Sequence, residues 1–198
     1  MSNQIETTYK VHLDNRNRKT VLFRAILVVP IFIFMASLSA MANSRDWSNS
    51  TYGILVIPVM LTLLFRGVYP SWLLAFNKAV FGLGNRAWAY LSLLTDEYPS
   101  LEESDVVTFH FPEIDGGKSL NRWLPLVKWL LAIPLYIVGL VYALYGIFLI
   151  LLAWIGILTT GNMASSYAEG ISSISAYWNR VYGYAILLVT DEYPPFSL

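Results

Sequence analysis

Two acid pairs are the groups best placed to do chemistry, because the chain writes the stretch around them twice: Thr95-Asp96-Glu97-Tyr98-Pro99 and Thr190-Asp191-Glu192-Tyr193-Pro194. Adjacent carboxylates suit the binding of a cation or the handling of a proton. Placed at a helix end before Tyr-Pro, they also serve an architectural purpose, stopping the helix and staying hydrated. An acid at a helix C-terminus opposes the macrodipole and calls for water or a nearby cation. Arg66, Arg86 and Arg180 are the expected partners, and such pairing would orient the helices that carry the acids. The architectural role is the expectation for Asp96, Glu97, Asp191 and Glu192.

Other chemistries find little footing. Cysteine is absent, which excludes disulfides, cysteine metal sites and thiol nucleophiles. His12 and His110 hold similar places in the two halves, but two histidines do not fill a tetrahedral site, and Asp14 and Glu113 would have to complete it. No Gly-rich phosphate loop follows a strand, and no Ser-centred elbow or helical His pair with Glu occurs. Gly82-Leu83-Gly84 reads as a packing feature. The expectation is a protein without catalytic residues, metal or cofactor.

The composition points to lipid. Hydrophobic residues make up 56% of the 198 and charged residues 13%, against about a quarter in soluble chains. A net charge of zero gives no field that would draw nucleic acid. The polar opening, with Glu6, Asp14, Arg16, Arg18 and Lys19, shows no cleavable signal, so the first apolar stretch is expected to remain in the protein.

The stretch 21–42 is apolar apart from Arg24 and serines and is long enough to cross a hydrocarbon core of about 30 Å. Pro30 lies within it, a residue that membrane helices tolerate. A polar loop at 43–50, with Arg45 and Trp47, separates it from a shorter span at 52–66. Ser71, Lys78, Gly82, Asn85 and Arg86 then form one narrow polar face across 71–94, predicting an amphipathic helix at the interface. A tilted third span and a helix buried against the spans remain alternatives. Residues 100–121 read as a polar linker, and the alternation at 9–13 and 107–111 is strand-like.

The second half repeats the first. Val127-Lys128 through Pro134 lies over Phe23-Arg24 through Pro30, with cation and proline in register, so unit one covers 1–99 and unit two 122–198. The apolar stretch 126–159 is either a hairpin folded near Gly139 to Gly146 or one long helix. The repeat favours the hairpin, which puts both acid pairs on one membrane face. A second amphipathic helix follows at about 164–189. The expected fold is thus all-α and integral to the membrane: two tandem repeats, each a transmembrane helical hairpin followed by an amphipathic interfacial helix, with short strand-like segments before each. Of 13 Lys and Arg, only Arg45 falls in a proposed outer loop, which predicts cytoplasmic termini in a bacterial inner membrane. Trp47, Trp72, Trp88, Trp123, Trp129 and Trp178 suit an aromatic belt.

In these residues the chain resembles a widespread prokaryotic family of small membrane proteins catalogued as a domain of unknown function. The carriers are Arg24 with Pro30, Lys128 with Pro134, Arg66-Gly67-Val68-Tyr69-Pro70, Asn85-Arg86 with Tyr90, Asn179-Arg180 with Tyr184, and the two acid-bearing motifs. Unit two departs from the pattern at Asn162-Met163, where a Tyr-Pro is expected. The resemblance implies an integral membrane protein and supplies no activity.

The functional expectation is a non-catalytic accessory or scaffold subunit that organises partners or lipid, the partners being membrane lipid and another membrane protein or a second copy. A carrier or pore for a small amphiphile or ion between the repeats is the competing reading, weakened by the scarcity of polar residues at mid-span. The hairpin topology makes a testable prediction. Tags at the N-terminus, within 100–121 and after Leu198 all report the cytoplasm, whereas a single span over 129–158 moves the last tag alone to the other side.

Overall fold

A computed structural model describes residues 3–38 and 55–198. The expected loop at 43–50 and the adjoining ends of the first two spans lie outside these residues. A strand at Glu6–Tyr9 (β1) precedes helices at Arg18–Leu27 (α1), Val29–Leu38 (α2), Val56–Arg66 (α3) and Ser71–Leu91 (α4). A second strand at Val107–His110 (β2) and a 3-10 turn at Asp115–Gly117 lead to helices at Pro125–Leu131 (α5), Ile133–Thr160 (α6) and Ser165–Ala185 (α7).

The prolines explain the first feature of the helices. Pro30 and Pro134 cannot donate to the carbonyls four residues back, so the helix breaks just before each. The breaks fall at Val28, between α1 and α2, and at Ala132, between α5 and α6. Each proline then sits within the first two positions of the next helix, where its missing N–H costs nothing.

The second expected hairpin is not formed. α6 runs 28 residues without a turn, from Ile133 to Thr160. Gly139 and Gly146 do not bend it but make room for neighbours. A Cβ on Gly139 would lie 2.6 Å from the Trp178 ring, and one on Gly146 would lie 3.3 Å from Ile174. Those glycines belong to the one buried stripe of α6, with Leu135, Leu149, Ala153 and Ile157, and this stripe lies antiparallel along α7. Glycine in an apolar helix thus marks close helix packing rather than a fold point.

α4 and α7, both of 21 residues, form the middle layer. Against one side lie α2 and α6, with Met35 reaching Gly84 and Leu149 reaching Gly170. Against the other lies a two-stranded antiparallel ribbon, in which Glu6 faces His110 and Tyr9 faces Val107. The expected polar face of α4 is therefore not a water-facing one. Phe109 covers Gly82, the Lys78 ammonium sits 4.6 Å from the Phe111 ring centre, and Asn85 and Arg86 are buried. Asn85 is met by the Tyr9 hydroxyl and Asn179, and Arg86 by the Ser100 carbonyl, which corrects the expectation of an interfacial helix toward that of a buried one.

The segment leading through β1 follows the whole length of α7. Gln4 bonds the Glu192 carbonyl at 2.6 Å, Thr7 accepts from Asn179 at 3.1 Å, Met163 N–H donates to the Leu13 carbonyl at 2.7 Å, and Arg16 N–H donates to the Gly161 carbonyl at 2.9 Å. Its outward residues Glu6, Thr8, Lys10, His12 and Asp14 are exposed. The opposite surface of the molecule is apolar and equally exposed: Phe23, Ile26 and Ile33 on α1 and α2, and Ile137, Leu140, Leu144, Phe148 and Leu151 on α6.

The chain between the halves is tied down rather than loose. Tyr69 N–H donates to the Gly116 carbonyl at 2.7 Å, and Gly117, at φ +95°, packs so tightly that a Cβ would lie 2.6 Å from the Tyr69 nitrogen. Gly117→Ala meets backbone on one side and an unfavourable dihedral on the other. We expect it to lower the unfolding midpoint of the detergent-solubilised protein, corresponding to a loss of about 1–3 kcal/mol. Gly116→Ala serves as the control, since it shares the positive φ but its Cβ meets nothing within 4 Å.

Candidate functional site

The acid-bearing loops are held by cations that emerge from the helices before the proline breaks. Arg24 leaves α1 only 2% exposed and donates to the carbonyls of Tyr90 at 2.6 Å and Thr95 at 2.8 Å, while also pairing with the Asp96 carboxylate. Lys128 leaves α5 1% exposed, donates to the Thr190 carbonyl at 2.6 Å and pairs with Asp191 at 2.7 Å. A buried cation is tolerated when it is paired and hydrogen-bonded, and one acid-bearing loop supplies each of these with a carboxylate and backbone carbonyl groups. Aromatic rings complete the shell. The Arg24 guanidinium lies 4.4 Å from the Tyr90 ring centre and the Lys128 ammonium 5.2 Å from that of Tyr184.

The loops themselves are shaped to present those carbonyls. α4 ends in a residue with left-handed backbone, Leu93 at φ +70°, with Leu94 N–H returning to the Ala89 carbonyl. This is a Schellman closure, in which glycine is the usual choice. Leucine takes the position because its side chain is buried, 2% exposed. Leu188, at φ +58°, does the same after α7, one residue later in its turn: Val189 N–H reaches back to Gly183. Thr95 and Thr190 then cap the following backbone, accepting from Glu97 N–H and Glu192 N–H at 3.1 Å each.

The expected partners of the acids are thus corrected. Neither Asp96 nor Asp191 pairs with Arg66, Arg86 or Arg180. Arg86 donates to the Ser100 carbonyl at 2.9 Å, Arg180 to the Ser197 carbonyl, and Arg66 ends α3 exposed. Glu97 is exposed, and Glu192 accepts from Asn3 N–H at 3.0 Å. The residue missed by the sequence reading is Arg16, which is 5% exposed, donates to the Leu93 carbonyl at 2.7 Å and lies 2.8 Å from Asp96. Its signal was weak because it sits in a polar run with Arg18 and Lys19 that reads as a solvated helix entrance. His12 and His110 are not brought together: His110 faces Glu6 within the ribbon, and His12 lies past its other end.

Burial acts to raise the Asp96 carboxyl, but the Asn17 N–H and the guanidiniums of Arg16 and Arg24 outweigh it and hold the group below its ordinary value of 3.8. A carboxylate with a depressed folded pKa stabilises the fold above its unfolded value, and that stability is lost as pH falls through the folded one. Acidification below about pH 4 should therefore lower the unfolding midpoint of the wild type, with Asp96→Asn removing part of this acid-dependent change. Asp191→Asn leaves the Lys128 ammonium buried without its counter-charge and should cost about 3–5 kcal/mol. Lys128→Met combined with Asp191→Asn should recover most of that loss in thermal melts.

A second polar constellation sits where α4 crosses α7. Asn179 Nδ2 donates to Asn85 Oδ1 at 2.8 Å, and the Tyr9 hydroxyl, entering from β1, donates to the same oxygen at 3.0 Å. Asn85 Nδ2 donates to the Phe81 carbonyl at 3.1 Å. Burial pushes the Tyr9 hydroxyl up to about 12 even though its bonds with Asn179 and Ser175 act to lower it, so it stays a neutral donor. Beside these residues opens a cavity of about 470 Å³ between α2, α4, α6 and α7, with Trp88, Ser175 and Trp178 in its wall.

Helices Arg18–Leu38, taken across the break, and Ile133–Thr160 are long and apolar enough to cross a membrane. No curated protein and no solved structure matches the chain. The stretch from 122 to 197, which holds Lys128, α6, α7 and the second acid motif, matches the family model described as Domain of unknown function (DUF4389).

Proposed function

We propose that this is a non-catalytic membrane protein, built from two copies of one unit, that lies within one leaflet of a bacterial inner membrane and organises lipid or a partner there. The observation that carries the reading is the opposition of its two surfaces. The ribbon side exposes Glu6, Lys10 and Asp14 along the whole length of α7, and the far side exposes Ile137, Leu140, Leu144, Phe148 and Leu151 of α6. Both ends of α6 meet the polar segment: Arg16 N–H bonds Gly161 at one end, and Gln4 bonds Glu192, beside the Lys128 loop, at the other. A helix of 28 residues is about 42 Å long. If it stood upright in the bilayer, the charges beside it would be carried into hydrocarbon at about 2.5–3.5 kcal/mol each. Lying flat, it buries its apolar face in acyl chains while the ribbon stays in water.

The duplicated contacts support the two-unit reading. Arg24 with Thr95 and Asp96 corresponds to Lys128 with Thr190 and Asp191, and Asn17 N–H on Asp96 corresponds to Asn121 N–H on Asp191. Met163 N–H on the Leu13 carbonyl corresponds to Tyr69 N–H on that of Gly116. In this arrangement both acid motifs lie on the water side although α6 is continuous, so tags in 100–121 and after Leu198 report one compartment.

The cavity between the units favours a second reading, in which the protein takes up a small amphiphile there. The seating itself is open to a clean test, because the chain has no native cysteine. Single cysteines at Asp115 and Asn162, on either side of α6 in sequence, are expected to react with an impermeant maleimide from the same face of sealed vesicles, with Leu144→Cys protected. Labelling of positions 115 and 162 from opposite faces would overturn the in-plane arrangement and restore a crossing helix.

A further inference from the structure

We infer that the cavity between α2, α4, α6 and α7 is a binding site for a single-chain lipid whose head is an uncharged hydroxyl, hydrogen-bonded to the side-chain oxygen of Asn179. This deepens the second reading above and rests on it.

The size and walls fix the tail. About 470 Å³ falls inside the range of roughly 300–1,000 Å³ common to small-molecule sites. The walls are Met35, Phe81, Ile150, Ile171, Ile174 and similar groups, with no Asp, Glu, Lys or Arg among the lining residues. Phe32 at 40% and Ile147 at 54% exposure belong both to the wall and to the outer apolar surface, so the entrance faces acyl chains rather than water. A tail arriving from the leaflet exchanges one apolar environment for another, so selection falls to the polar end.

The polar end is chemically one-sided. Trp88 Nε1 donates to Ser175 Oγ at 2.9 Å, and Ser175 in turn donates to the Ile171 carbonyl at 2.8 Å, so that pair is satisfied. Asn85 Oδ1 already accepts twice. Asn179 Nδ2 donates to Asn85, Tyr9 and Thr7, and its Oδ1 accepts no hydrogen bond among the described residues. Asn179 lines the cavity, so this oxygen is an acceptor left over for an occupant. It can take a hydrogen bond from a donor on the ligand. A hydroxyl supplies one, whereas a carboxylate or phosphate supplies only acceptors and charge, with no cation among the described wall residues to answer it; a buried unpaired charge is strongly disfavoured. A quaternary ammonium head has no proton to give.

The experiment uses the full chain in lipid nanodiscs with a dodecanol analogue carrying a diazirine on its tail, photolysed and mapped by peptide mass spectrometry. The expected result is labelling of α4 and α7 wall residues that excess dodecanol displaces. A dodecanoate analogue at pH 9 should label only the exposed face of α6. Gly84→Leu and Ala143→Phe each fill the cavity without touching the asparagines, and each is expected to cut wall labelling about tenfold. Asn179→Leu should abolish the preference for alcohol over carboxylate. Equal wall labelling in both filled variants, or equal labelling by the ionised probe, would sink the assignment. The cysteine map is read independently, so same-face labelling of 115 and 162 with an unlabelled cavity defeats this inference alone.

Discussion

Three cations that cannot reach water constrain everything around them. Arg16, Arg24 and Lys128 are each at most 5% exposed, and each must find acceptors for its protons and an opposite charge. Breaking such an arrangement on one side costs several kcal/mol, because the remaining charge stays buried. The loops after α4 and α7 have only one way to satisfy the cations, which is to turn through a left-handed leucine and aim their carbonyls inward. That choice fixes where α1 and α5 enter and which rings flank them. In the same act it orients the amphipathic pair α4 and α7 against the apolar helices. The acid motifs are therefore counter-charges for buried cations, and their repetition records a structural requirement met twice.

Much of this was legible in the sequence, for identifiable reasons. The bounds expected for the amphipathic helices, 71–94 and 164–189, are close to Ser71–Leu91 and Ser165–Ala185 because their periodicity is strong and Pro70 and Thr95 punctuate the first. The register of Arg24 with Lys128 and of Pro30 with Pro134 located the helix breaks. The continuity of α6 was not legible, since a run of thirty apolar residues carries no turn signal and none against a turn. Only the packing of Gly139 on Trp178 and of Gly146 on Ile174 shows what those glycines are for. The partners of the acids were not legible because Arg66, Arg86 and Arg180 were the cations that the expected topology put on the same side as the acids. The actual partners come from other helices, and Arg16 is hidden in a run of charges. The polar stripe of α4 was read correctly as polar and wrongly as wet, because periodicity reports only that a face is different, not whether water or a strand lies on it.

The two halves differ in their apolar helices. α6 is one helix, while the matching place in the first half is shared by α2 and α3, with the stretch 39–54 between them. Elsewhere paired contacts recur, with Arg24 and Lys128 each holding an acid-bearing loop, although among the described residues Arg16 adds a second cation to the first clamp alone. The clamps and the ribbon rest on specific ion pairs and hydrogen bonds, which restrict the residues that can take part. An exposed apolar surface is bound by no such pairing, which is a physical reason for differences to collect there.

The path of the first strand has a consequence for how the protein is made. Asn3, Gln4, Thr7 and Tyr9 find their hydrogen-bond partners at Glu192 and Asn179, chain separations of 170 or more. Loop closure over such distances is entropically slow. Until α7 is made, Tyr9 can bond Asn85, but Thr7 and the Gln4 amide lack their partners and the pair lacks Asn179. The apolar helices depend on no such distant partner. The polar layer instead is completed late, when α7 and the loop after it reach the first strand.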